Sequence, residues 1–267
     1  TDDRRIGLAS VLLLAVLPAH AVRTTLAFTD HHAFDYLWLV LTATSAVALS
    51  RREGNISSLH PRTVLGVTGL AAGVAGQVLA WDNGPLLLLP LVVYFPLATL
   101  SAVRREVSPL SESGVLLAGI GGGAVVTVAV HLGWGWHTWL VGVMPTALFV
   151  GAASVTLVGE ATYRIDLPIE DELAAAGTVL GGGVVIGATL LAVTEVASTV
   201  TERADILFVD RSIGETASLF ASGASGFGWL LLVGPILFVG TAGLVWATFR
   251  KARDSPRWLV AVSYGWG

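Results

Sequence analysis

Residues 114–134 and 138–158 form two almost unbroken apolar runs, and only Gly135, Trp136 and His137 separate them. Each run matches the roughly 20 residues an α-helix needs to cross the hydrocarbon core of a bilayer. With so short a connection the two runs can only fold back on each other as a helical hairpin. Trp134 and Trp136 flank the reversal. Indole rings have one polar edge and favour the headgroup level, so the turn is predicted at a membrane surface.

The rest of the chain repeats this plan. Apolar residues make up 54% of the sequence and charged residues 13%, against about 25% charged in soluble domains. No polar stretch is long enough to bury a core of its own, so residues 1–267 read as a single integral membrane domain. The net charge of -4 and the lack of a dense basic cluster exclude a nucleic-acid partner. With no cysteine present, disulfides, thiolate catalysis and cysteine-ligated metals are excluded as well. The one lysine, Lys251, follows an apolar span, so no embedded amine is available to carry a Schiff base.

Spans are predicted at about 6–28, 34–50, 63–81, 86–103, 114–134, 138–158, 173–193 and 226–249. The first resembles a signal peptide with an Ala19-His20-Ala21 cleavage site, but apolar character resumes beyond His20 and the span is read as retained. A polar insert at 200–222 carries Ile206, Val209, Ile213 and Phe220 at helical intervals among Asp205, Asp210 and Glu215. That pattern fits an amphipathic segment lying on the outer leaflet or covering a vestibule. The last ten residues are too few to cross and are expected at the surface.

Lys and Arg concentrate in cytoplasmic loops. Threading eight spans puts twelve of the fifteen basic residues on the side of the termini, leaving Arg23, Arg203 and Arg211 opposite. The fold class is therefore an all-α polytopic transmembrane bundle of about eight spans, both termini cytoplasmic, in the cell membrane. The sequon Asn55-Ile56-Ser57 would then face the cytoplasm and stay unmodified.

Lipid-bathed helices lack a hydrophobic drive to associate, and small residues let their backbones approach. Gly66, Gly69, Gly73 and Gly76 follow a 3-4-3 spacing along one face of the third span. Gly119 with Gly123, Gly177 with Gly181, and Gly183 with Gly187 are each four apart. These positions are predicted to be helix–helix seams.

On this topology His20, His31, His32, His131 and His137 gather at the outer level, with Asp30, Asp35, Asp82, Glu195, Arg23 and Gln77 at about the same height. Imidazole and carboxylate form the ligand set for zinc, copper or iron once cysteine is excluded, and imidazole also serves haem and proton relays. The candidate metal or haem residues are His20, His131, His137, His31, His32 and Asp35, and His20 with His131 is the preferred pair. No two histidines have the i, i+4 spacing of a helical metal site, and plain solvation of an interfacial surface stands beside the ligand reading. Arg23, Gln77, Asp82, Glu195 and Ser225 are further candidates. No catalytic residue is assigned.

Two short resemblances remain. Gly223-Ala224-Ser225-Gly226 resembles the nucleophile motif of rhomboid intramembrane proteases, which implies a serine hydrolase at Ser225. That chemistry needs a base within reach, and no histidine follows Ser225 here. Leu167-Pro168-Ile169-Glu170-Asp171 and Trp81-Asp82-Asn83 resemble short motifs of membrane-bound lycopene cyclases. Acids ahead of a helix are also ordinary helix-start chemistry.

The expected function is a small-solute or ion transporter or the membrane subunit of a larger complex, with the bilayer and other subunits or a second copy as partners. The alternative is a membrane enzyme or electron-transfer subunit holding a haem or a His/carboxylate-bound metal at the outer cluster.

Overall fold

The computed structural model describes residues 8–9, 11–12, 32–50, 60–165, 239–249 and 256–266. Among the described residues all regular structure is helical. The helices are α1 (His32–Ser50), α2 (Pro61–Ala80), α3 (Leu89–Arg104), α4 (Pro109–Trp134), α5 (Trp139–Ile165), α6 (Val239–Phe249) and α7 (Pro256–Trp266). A 3-10 segment, Gly84–Leu88, leads into α3.

Four stretches are long and apolar enough to cross a membrane: Pro61–Ala80, Gly84–Arg104, Pro109–Trp134 and Trp139–Ile165. They coincide with the third to sixth predicted spans. The second span corresponds to α1, whose apolar part Phe34–Ser50 is shorter, and the eighth is represented by α6. The first and seventh spans and the insert at 200–222 lie outside the described residues.

Helix ends follow capping chemistry more closely than hydropathy. Helix α4 begins five residues before its predicted start, because the Ser108 hydroxyl accepts the Ser111 N–H at 3.1 Å and Pro109 occupies the first turn. A proline there loses no intrahelical hydrogen bond. The helix stops at Gly135, whose left-handed φ of 62° lets its N–H reach the His131 carbonyl at 2.8 Å. This is the usual glycine termination. At its far end α5 runs seven residues beyond the predicted 158, to Ile165.

Around the bundle, α1 packs on α2, α2 on α4, α4 on α5, α5 on α3, and α7 bridges α3 back to α1. The glycine stripe of α2 is the α1 seam. A Cβ added at Gly66 would meet Leu49, at Gly69 Ser45, at Gly73 Thr42 and at Gly76 Trp38. Contacts that descend α1 while climbing α2 define an antiparallel pair. On its other side α2 receives Gly119 against Leu70 and Gly123 against Ala71 and Val74. Leu70, Val74, Val78, Leu91, Tyr94, Phe95, Leu116 and Ile120 fill the centre.

The carboxy-terminal expectation is corrected. Residues 256–266 form α7, which docks on α3 and α1 and buries Leu259, Val260, Val262 and Ser263. A helix of this length need not cross to contribute one apolar face. Pro256 starts it, and positions 259, 260 and 263 share the inward side.

The ends of the bundle differ in chemistry. The turn after α2 meets the α4–α5 turn at an end carrying Trp81, Trp134, Trp136 and Trp139, with Trp134 76% exposed. The opposite end holds Arg104, Arg105 and Arg164, with Glu112 paired to Arg105 and Glu160 to Arg164. There the Arg105 guanidinium grips both oxygens of Glu112 at 2.7 Å.

Candidate functional site

The tryptophan-bearing end gathers three of the predicted residues. Helix α2 leaves its last carbonyls without intrahelical partners, as every helix does. The Leu79 carbonyl is taken up from the neighbouring hairpin. It accepts the Trp136 indole N–H at 2.8 Å and lies 3.1 Å from His137 Nε2. His137 Nδ1 contacts the Asp82 carboxylate. The ring thus bridges the end of α2 to the turn that follows it.

The turn is shaped to present that ring. Gly135 and His137 both have left-handed φ, 62° and 63°. Histidine enters this region more readily than most residues but still at a cost. His131, in the last turn of α4, is tied to the same interhelical turn, its Nδ1 lying 2.9 Å from the Trp136 carbonyl. A carbonyl only accepts, so Nδ1 carries the hydrogen. The His131 ring also stacks at a tilt against Trp139, with centroids 5.4 Å apart.

Less than one turn back along α2 from Leu79, Gln77 is wholly buried in the α1–α2 seam. Its Nε2 donates to Thr42 Oγ1 at 2.9 Å and to the Trp38 carbonyl at 3.3 Å, and the Thr42 hydroxyl itself donates to the Trp38 carbonyl at 2.7 Å. Among the described residues no donor reaches Gln77 Oε1. Asp35 is 5% exposed. It stands one turn before Trp38 on the face of α1 that carries Trp38, Thr42 and Ser45, so the seam reads as a polar stripe between two apolar helices.

The structure therefore brings His131, His137 and Asp82 together, and places Gln77 and Asp35 on the adjacent seam. His32 begins α1. His20, His31, Arg23, Glu195 and Ser225 lie outside the described residues, as does the acidic stretch 167–171. The preferred pair of His20 with His131 is thus represented by His131 alone. Among the described residues no group of three or more His, Asp or Glu converges as a metal site.

Sequence reasoning missed the Leu79 carbonyl and the Trp136 indole, which no side-chain motif announces. It also missed Glu160, at the arginine-bearing end. This buried carboxylate accepts the Ser108 hydroxyl at 2.7 Å and the Leu110 N–H at 3.1 Å, and pairs with Arg164 at 2.8 Å. It caps α4 from α5, where the helix dipole favours an anion. The Ser108-Pro109 start signal was the available clue.

No family model, no curated protein and no solved structure matches this chain.

Proposed function

We propose that this chain is a multi-pass cell-membrane protein, one membrane domain of about eight spans with cytoplasmic termini, that passes a small polar solute or cation when α1 and α2 part along their polar seam. It would act alone or as the transporting subunit of a larger complex. The observation that carries this reading is Gln77, fully buried between apolar helices with an amide oxygen that no described group satisfies. A buried acceptor without a donor costs about 1–3 kcal/mol, and polar groups held inside a membrane are costly enough to mark solute paths. Asp35, on the same stripe, adds an acidic side chain toward the tryptophan-bearing end. An oxygen-rich stripe suits cations and donor-bearing solutes.

The test is flux into proteoliposomes, using radiolabelled sodium, radiolabelled rubidium and a trapped pH dye as separate probes. Flux of at least one probe above empty vesicles, lowered about tenfold in Gln77→Leu and in Asp35→Asn, supports the reading. Fluxes equal to those of empty vesicles, or unchanged by both substitutions, overturn it.

A second reading, a membrane enzyme or electron-transfer subunit, draws on His131. A ligating histidine characteristically donates its other ring N–H to a carbonyl or carboxylate, and His131 Nδ1 is so placed. A haem absorption band or near-stoichiometric copper, zinc or iron in purified protein would favour it over transport.

A further inference from the structure

We infer that Asp82 and His137 form a proton-binding site whose occupancy latches the α4–α5 turn to the end of α2. The site follows from donors and acceptors alone, whatever solute the protein moves. His137 Nε2 faces the Leu79 carbonyl at 3.1 Å, and that oxygen only accepts. Nε2 therefore carries a hydrogen. Nδ1 faces an Asp82 carboxylate oxygen. A neutral imidazole with its hydrogen on Nε2 presents a lone pair at Nδ1, and two lone pairs cannot make this contact. Moving the hydrogen to Nδ1 only transfers the clash to Leu79. Both contacts hold together only when the pair owns one proton more than a neutral ring beside an ionised carboxylate. The pair is then neutral overall, as imidazolium with carboxylate.

Three further features make this site a latch. His137 sits at a left-handed φ of 63°, a conformation that needs holding. The Trp136 ring meets the His137 ring edge-on at 5.7 Å and its indole shares the Leu79 carbonyl, so releasing His137 loosens the docking of the whole turn. Among the described residues the groups facing the ring are Asp82 from the turn after α2, the Leu79 carbonyl from α2 itself, and His131 from α4, which acts through the Trp136 carbonyl. Asp82 is 54% exposed and His137 16%, so the proton exchanges with solvent at this end. As pH rises the proton leaves to water, one of the two contacts is lost, and the turn is freed. As pH falls the latch closes.

The test uses the full chain in lipid nanodiscs, isotopically labelled, at about pH 5 and about pH 9, limits that bracket the range in which histidine changes charge. At the acidic limit the ring nitrogens of His137 show the nitrogen-15 shifts of an imidazolium. At the alkaline limit they show a neutral tautomer. Backbone hydrogen exchange across residues 135–139, corrected for base catalysis, is roughly tenfold faster at the alkaline limit, as loss of a charge-assisted hydrogen bond requires. Asp82→Asn abolishes this step and stays protected at both limits, because the carboxamide N–H can donate to Nδ1 of a neutral ring. His137→Asn, which tolerates the left-handed backbone, abolishes the step and exchanges fast at both. A neutral His137 ring at the acidic limit, or an unchanged step in Asp82→Asn, overturns the proposal.

Discussion

Replacing single seam glycines by alanine tests whether helix contact, rather than helix propensity, governs the bundle. A Cβ at Gly73 would lie 2.9 Å from the Thr42 backbone nitrogen and 3.1 Å from its Cα, and would press on Thr42 Oγ1. Backbone cannot rotate away, so α1 and α2 must separate and the Gln77–Thr42–Trp38 hydrogen bonds lengthen. Overpacking of this kind costs about 1–3 kcal/mol, while alanine returns roughly 1 kcal/mol of helix propensity. With the clash at the upper end, the net loss is about 1–2 kcal/mol. At Gly66 the nearest atom is Leu49 Cδ2 at 2.7 Å, the tip of a flexible side chain, and the same substitution is close to neutral. At Gly151 nothing described lies within 4 Å, and alanine stabilises by up to about 1 kcal/mol. Steric-trap unfolding in bicelles should order the variants Gly151→Ala, Gly66→Ala, Gly73→Ala from most to least stable. Equal stability of Gly73→Ala and Gly151→Ala would refute the seam.

At the opposite end, Glu160→Gln should cost about 2–3 kcal/mol in the same assay, because the Ser108 hydroxyl and Leu110 N–H lose a charged acceptor. Arg164→Gln should cost less than about 1 kcal/mol, its side chain being 69% exposed and the pair screened by solvent. Trp136→Phe keeps the ring but deletes the donor to Leu79. It should lower stability by about 0.5–1.5 kcal/mol and speed hydrogen exchange of the turn without altering the α1–α2 seam.

What the sequence revealed and what it concealed divide along a physical line. Apolar runs and the 3-4-3 glycine spacing of α2 are local periodicities, and both the spans and the α1-facing stripe follow from them. The start of α4 was set too late because Ser111 and Glu112 are polar. Their cost is met by the Ser108 cap, by Arg105 and by the Glu160 carboxylate, which arrives from another helix. Helix α7 was assigned to the surface because crossing was taken as the only route to burial. The shared level of Asp82 and His137 was legible from the threading, but their contact was not. It joins residues 55 apart in sequence, and depends on the left-handed backbone at His137 and on the Leu79 carbonyl, neither of which leaves a residue pattern.

The account rests on the α2–α5 turns alternating between two sides of a membrane. Because the chain has no native cysteine, single substitutions report this directly. Thr138→Cys and Val107→Cys, both at exposed positions, should be probed in intact cells with a membrane-impermeant maleimide. Thr138→Cys should label from outside, and Val107→Cys only after permeabilisation. Labelling of both from the same side, or of both equally without any membrane protection, would contradict the account.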